Sequence, residues 1–240
     1  MTTEKPYKIS YKLYQNSRLK PVSFHGKEIY PLYVQVTFDR HSIYFKSYYF
    51  DLLSAPIYAV RHHSGSRYPG IKEVEEKEQR LIEFILQKYS DLFSLELFKE
   101  KYVYYSSDLL SLMDEDFKDY LFTFLNDEGD DFLAMMIKRA SDFEAGIRIV
   151  EGLQRPLKQN LYQKMMEHAA YYVPGYLPVA ALQQNKGDRL LTFSIFEWEM
   201  PETKEALNKV LVHSFPNYNA DDVAGYIKKI VRRVLSKTQG

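Results

Sequence analysis

Cysteine is absent from this 240-residue chain, which excludes a disulfide framework and any thiolate metal site. Such a chain suits a reducing compartment. Long apolar runs are missing too. No stretch approaches the roughly 18–20 apolar residues that span a bilayer, and no apolar run follows Met1-Thr2-Thr3-Glu4-Lys5-Pro6 as a secretory signal requires. The expectation is a cytoplasmic protein with no membrane partner.

The motifs of familiar chemistry are also lacking. There is no Gly-x-x-x-x-Gly-Lys-Ser/Thr, no Gly-x-Gly-x-x-Gly and no Gly-x-Ser-x-Gly, so neither a glycine-rich phosphate cradle nor a nucleophile elbow is indicated. The six histidines include an adjacent pair, His62-His63, but no His-x-x-x-His, and a zinc site is not expected. The acidic runs Asp114-Glu115-Asp116 and Asp127-Glu128-Gly129-Asp130-Asp131 fail the calcium-loop pattern, because Lys138 holds the twelfth position from Asp127. Acids that favour helix N-termini account for both runs. No motif calls for a cofactor, and no residue is nominated as catalytic.

What is present is an uneven distribution of charge. The net charge is zero, yet residues 1–72 carry 11 Lys/Arg against 4 Asp/Glu, residues 73–135 carry 6 against 17, and residues 136–240 carry 15 against 11. A basic front therefore precedes an acidic middle, and the overall balance says little about partners. Tyrosine is abundant, with 21 residues. It fits strands well and also equips binding faces, through flat apolar area and a hydroxyl.

The front alternates as strands do. Tyr7–Tyr14, Ile29–Phe38 and Ser42–Phe50 read as three strands, with a polar loop over 16–26 and a short Asp39-Arg40-His41 connection. Pro31 is expected to open its strand or lie on an edge. Alternation places Ile9, Tyr11, Leu13, Leu32, Val34, Val36, Phe38, Ile43 and Phe45 toward a core. The opposite face then carries Lys8, Ser10, Lys12, Tyr33, Gln35, Thr37, Tyr44, Lys46 and Tyr48, with no acid among them. Residues 54–70 read as a linker. Helical periodicity follows, with helices expected near 71–89, 94–102, 107–125, 130–153, 156–171 and 201–213, and a final one capped by Asn219 or Asp221. Residues 171–178 break the helical run, and 189–198 fit either a strand or a short buried helix. The fold class is thus α+β: a small N-terminal three-stranded antiparallel sheet followed by a mainly helical body. A β-rich basic domain is expected over 1–70 and a mainly helical domain over 71–240.

The run Glu28 to Ser47 (EIYPLYVQVTFDRHSIYFKS) resembles part of the arm-type DNA-binding domain of tyrosine recombinases, and is most similar to integrases of Bacteroidetes mobile elements. The order of elements from Tyr7 to about Ser90 is compatible with that domain. The resemblance implies a three-stranded sheet whose open face meets a DNA groove. Gln35 stands where the family usually has Arg, and Tyr48 where a Gly often closes the third strand. The recombinase catalytic domain needs a His-x-x-Arg, and none of the six histidines has Arg three residues on. The resemblance therefore implies a non-catalytic relative, encoded on a mobile element.

Three readings follow. In the first, the chain is a DNA-binding accessory protein. Lys8, Lys12 and Lys46 neutralise phosphates, Gln35 meets a base edge, Tyr33 and Tyr44 contact bases or sugars, and Thr37 and Arg40 complete the surface. Its helical body then binds a protein partner or self-associates. In the second, the sheet is a protein-interaction module with no nucleic-acid ligand. In the third, an enzyme site is assembled across the helical body, with no residue yet named for it.

Overall fold

The computed structural model describes residues 9–55, 70–141, 144–185 and 192–238. Their contacts gather into two compact units, one of residues 9–55 and 70–106 and one of residues 107–141, 144–185 and 192–238. This grouping follows a different line from the composition boundary at residue 70.

In the first unit β1 (Ser10–Gln15), β4 (Leu32–Phe38) and β5 (His41–Lys46) form an antiparallel sheet in the order β1-β4-β5. The α+β class holds, and the sheet precedes a mainly helical chain. The polar stretch expected as a loop over 16–26 contains β2 (Val22–Phe24), which pairs with β3 (Lys27–Ile29) just beyond it as a second, two-stranded ribbon. Its turn is His25-Gly26, at φ 50° and 78°. Residues with positive φ at both central positions make the tight hairpin turn whose twist suits the flanking strands. The ribbon takes Ile29 away from the long strand, which opens at Leu32 directly after Pro31.

The register confirms the face assignment. Tyr11, Val36 and Ile43 align across the sheet, as do Leu13, Val34 and Phe45. Leu32, Val34 and Val36 are wholly buried. This face packs on helices. Phe45 lies 4.6 Å from the Tyr102 ring and Phe38 lies 5.0 Å from Phe93. These partners belong to α3 (Leu95–Ser106) and the turn before it, and α2 (Ile71–Lys88) contributes Val74, Leu81, Ile82 and Ile85 to the buried stripe. The third strand ends earlier than its alternation implies. Ser47 caps a short helix, α1 (Tyr48–Leu53), its side chain accepting from the Phe50 N–H at 3.0 Å, so Tyr48 leaves the open face.

A buried polar node fixes α1. Glu78 is fully buried on the apolar stripe of α2. It accepts hydrogen bonds from the Ser47 hydroxyl, from the Tyr49 N–H at 3.1 Å and from the Tyr102 hydroxyl at 2.9 Å. Burial pushes the Glu78 carboxyl above its ordinary range despite those donors.

The second unit is helical: α4 (Leu109–Asp127), α5 (Asp131–Ala140), α6 (Gly146–Leu153), α7 (Gln159–Tyr172), α8 (Tyr176–Asn185), α9 (Ile195–Glu199), α10 (Pro201–Ser214) and α11 (Ala220–Thr238). Asp108 caps α4 by accepting from the Ser111 N–H, and Asn219 rather than Asp221 caps α11 by accepting from the Asp221 N–H at 2.8 Å. The helix expected over 130–153 is two helices, α5 ending at Ala140 and α6 beginning at Gly146. Asp114 supplies the cause, since its carboxylate accepts the Gly146 N–H at 2.8 Å and so starts a fresh helix there. Asp114 therefore serves the N-terminus of α6 rather than that of its own helix. The break at 171–178 is shorter than expected, because Pro178 falls in the first turn of α8, where a missing N–H costs nothing. Of the stretch 189–198, residues 189–191 lie outside the described residues, and Ile195 to Trp198 belongs to the short helix α9, with Ser194 as its cap. No helix among the described residues is long and apolar enough to cross a membrane.

Candidate nucleic-acid interface

Cross-strand pairing arranges the open face of the sheet in rows. Ser10, Thr37 and Ser42 form one row, Lys12, Gln35 and Tyr44 the next, and Tyr14, Tyr33 and Lys46 the third. Six of the eight expected contact residues are therefore neighbours on one surface. Arg40 projects from the β4–β5 turn beyond the Ser10 row. Lys8 lies outside the described residues.

The rows differ in character. Thr37 and Ser42 hydroxyls are hydrogen-bonded at 2.7 Å, and the Gln35 amide reaches Thr37 at 3.5 Å. The amide is thus steadied along the strand while its oxygen keeps acceptor capacity. Lys12 lies over the Tyr14 ring, 5.7 Å from its centroid, an attraction that holds the ammonium above the face. Tyr44 is 59% exposed.

Lys46 departs from the expectation. It forms an ion pair with Asp51 of α1. A face without acids in its own strands thereby acquires one at its edge, and Lys46 is partly neutralised. Alternation along a strand gives no sign of a carboxylate brought in by the following helix.

A shallow hollow of about 590 Å³ opens at the Tyr14 end, bounded by Tyr14, Tyr33, Tyr44 and the segment Gln15–Arg18. Tyr14 and Tyr33 rings stand 6.2 Å apart at 38°. The chain turns back here. The Asn16 N–H donates to the Pro31 carbonyl at 2.9 Å, and the Asn16 side chain accepts the Arg18 N–H at 3.2 Å. That turn sets the exposed Arg18 at the rim. Neither Tyr14 nor Arg18 was among the expected contact residues. Tyr14 shares the parity of Lys12, so counting by two finds it. Arg18 sits in a loop without periodicity, and no sequence signal places it.

The β4–β5 turn carries another exposed cation, Arg40. Asp39 and Arg40 adopt φ 46° and 65°. Asp tolerates the left-handed region, whereas for Arg it costs on the order of 1 kcal/mol. Cations thus stand at the tip (Arg40), the middle (Lys12) and the far end (Arg18) of the surface, over a length of about 20 Å at roughly 3.3 Å per residue.

No group of three or more His, Asp or Glu among the described residues is placed to hold a metal ion. Asp116 receives the Arg233 guanidinium at 2.7–2.8 Å and the Tyr226 hydroxyl at 2.9 Å. Asp130 caps α5. Comparison with protein-family models, characterised proteins and solved structures gives no match.

Proposed function

We propose that the chain binds double-stranded DNA through the open face of its three-stranded sheet and holds it without cutting it. The observation that carries this reading is the row Lys12–Gln35–Tyr44. It sets a cation for phosphate, an amide for a base edge and a phenol for sugar or base side by side on a rigid surface. Three strands about 4.8 Å apart span roughly 10 Å, within the roughly 12 Å width of a major groove. Arg40 and Arg18 extend the cationic track along the strands on either side of that row. The likeness of residues 28–47 to recombinase arm domains supports the same use of the face and adds a context, an accessory protein of a mobile element. The lack of a His-x-x-Arg in the sequence agrees with holding rather than cutting.

A second reading rests on Tyr44 and its neighbours Tyr14 and Tyr33. Tyrosines at a surface, here the exposed Tyr44 beside the half-buried Tyr14 and Tyr33, also anchor protein partners, and the face then serves as a protein-interaction module. Gel shift with a labelled duplex separates the two. Lys12→Glu abolishes a shift that depends on phosphate contact, whereas no shift at low salt, with the fold intact, removes the DNA reading in favour of the protein one.

A further inference from the structure

The second unit carries a hollow of a different character, about 540 Å³ in volume, among α4, α7 and α11. Its wall is aromatic. Tyr172 stacks on Tyr120 with ring centroids 6.0 Å apart and planes 23° from parallel. His168 stands edge-on between Tyr172 at 6.3 Å and Phe124 at 5.6 Å. Tyr120 is anchored from behind, its hydroxyl donating to the Met165 carbonyl at 2.5 Å. Tyr172 is 62% exposed although it belongs to this stack.

The rim is acidic. Asp116, Asp119, Asp127 and Glu128 line the hollow against Lys229. Asp116 is engaged by Arg233, and Glu128 by Lys164. The carboxylates of Asp119 and Asp127 have no partner among the described residues, and both side chains are exposed. A second hollow of about 570 Å³ adjoins the first through Tyr172 and Tyr226, and adds Glu167, Asp221, Asp222 and Tyr171, itself 80% exposed.

Aromatic faces and free carboxylates attract one kind of ligand in common, an organic cation. An anionic ligand meets repulsion here, and an apolar one leaves the acids desolvated. Each hollow falls within the roughly 300–1,000 Å³ range of ligand sites, and the two share Tyr172 and Tyr226 in their walls, which suits a ligand with more than one cationic group better than a single ammonium ion. We propose that this groove docks a lysine- or arginine-bearing segment of a protein partner, its cationic heads set between Asp119, Asp127 and the face of Tyr172. The proposal concerns the second unit and does not rest on the DNA reading.

The test uses the full chain and a fluorescein-labelled hexapeptide of alternating lysine and alanine, followed by anisotropy at low salt. Saturable binding is expected. It weakens about fivefold or more in the Asp119→Asn/Asp127→Asn double variant and in Tyr172→Ala, and stays level in Tyr172→Phe, which keeps the ring. Glu202→Gln/Glu205→Gln, exposed acids of α10, controls for general charge and leaves binding unchanged. All these side chains are exposed, and circular dichroism verifies that each variant is folded. Absence of saturable binding overturns the proposal, as does an equal loss in the α10 control. Displacement of the peptide by an equal concentration of spermidine also overturns it, in favour of a small-polyamine site.

Discussion

Gln35 and Tyr44 stand opposite each other in the β4–β5 ladder, and Lys12 stands opposite Gln35 on its other side. Side chains paired this way lie about 5 Å apart and move as one surface, because the faces behind them are locked in the core. Substitutions on this row are therefore expected to change binding more than stability.

Arg40 separates stability from binding. Its φ of 65° strains an arginine and suits a glycine. Arg40→Gly is expected to be neutral or up to about 1 kcal/mol stabilising, while weakening duplex binding. Urea midpoints and gel shifts on the same preparation check both halves. Unchanged DNA affinity removes Arg40 from the interface.

The Lys46–Asp51 pair is half exposed, with side-chain exposures of 37% and 52%. Such pairs contribute at most about 1 kcal/mol. Asp51→Asn should therefore change stability by less than that, yet it releases Lys46 and removes an anion from the edge of the face. Duplex affinity at low salt is expected to rise about two- to fivefold. A fall in affinity places the DNA away from this edge.

Glu78 gives the fold a pH signature. Its carboxyl is raised above the ordinary 4.5 in the folded chain, chiefly by burial. Between 4.5 and the raised value the folded chain holds more protons than the unfolded one, so stability falls as pH rises through that window. Glu78→Gln cannot titrate, and this part of the pH dependence should flatten. Urea denaturation from about pH 4 to about pH 8 measures it, and an unchanged slope assigns the dependence to another group. Glu78→Ala strands the Ser47 and Tyr102 hydroxyls in the core and is expected to cost roughly 2–4 kcal/mol.

Gly146 marks a close approach in the second unit. A β-carbon there would stand 2.6 Å from the Phe117 ring, which is itself stacked on Tyr176 at 4.4 Å. Gly146→Ala should destabilise by about 1–3 kcal/mol through overpacking, read as a lowered midpoint in thermal unfolding. Retention of the wild-type midpoint shows that Phe117 gives way freely.

Period-two alternation made the sheet and its faces legible, because Leu32, Val34 and Val36 need burial and their neighbours do not. It failed where tertiary structure overrides local pattern. Ser47 stops the third strand by capping α1, a role tied to distant Glu78. Asp114 splits an expected helix by reaching 32 residues along the chain to Gly146. Lys46 looked free because Asp51 belongs to the next element. Such pairings leave no trace in the spacing of apolar residues.

The account depends most on phosphate contact by the open face. The direct measurement is duplex affinity as a function of salt for the native chain, Lys12→Ala and Arg40→Ala. Log affinity is predicted to fall linearly with log salt, and each substitution to reduce the slope by about one. Affinity that holds steady from low to moderate salt, or slopes unmoved by both substitutions, contradicts the assignment of this face to DNA.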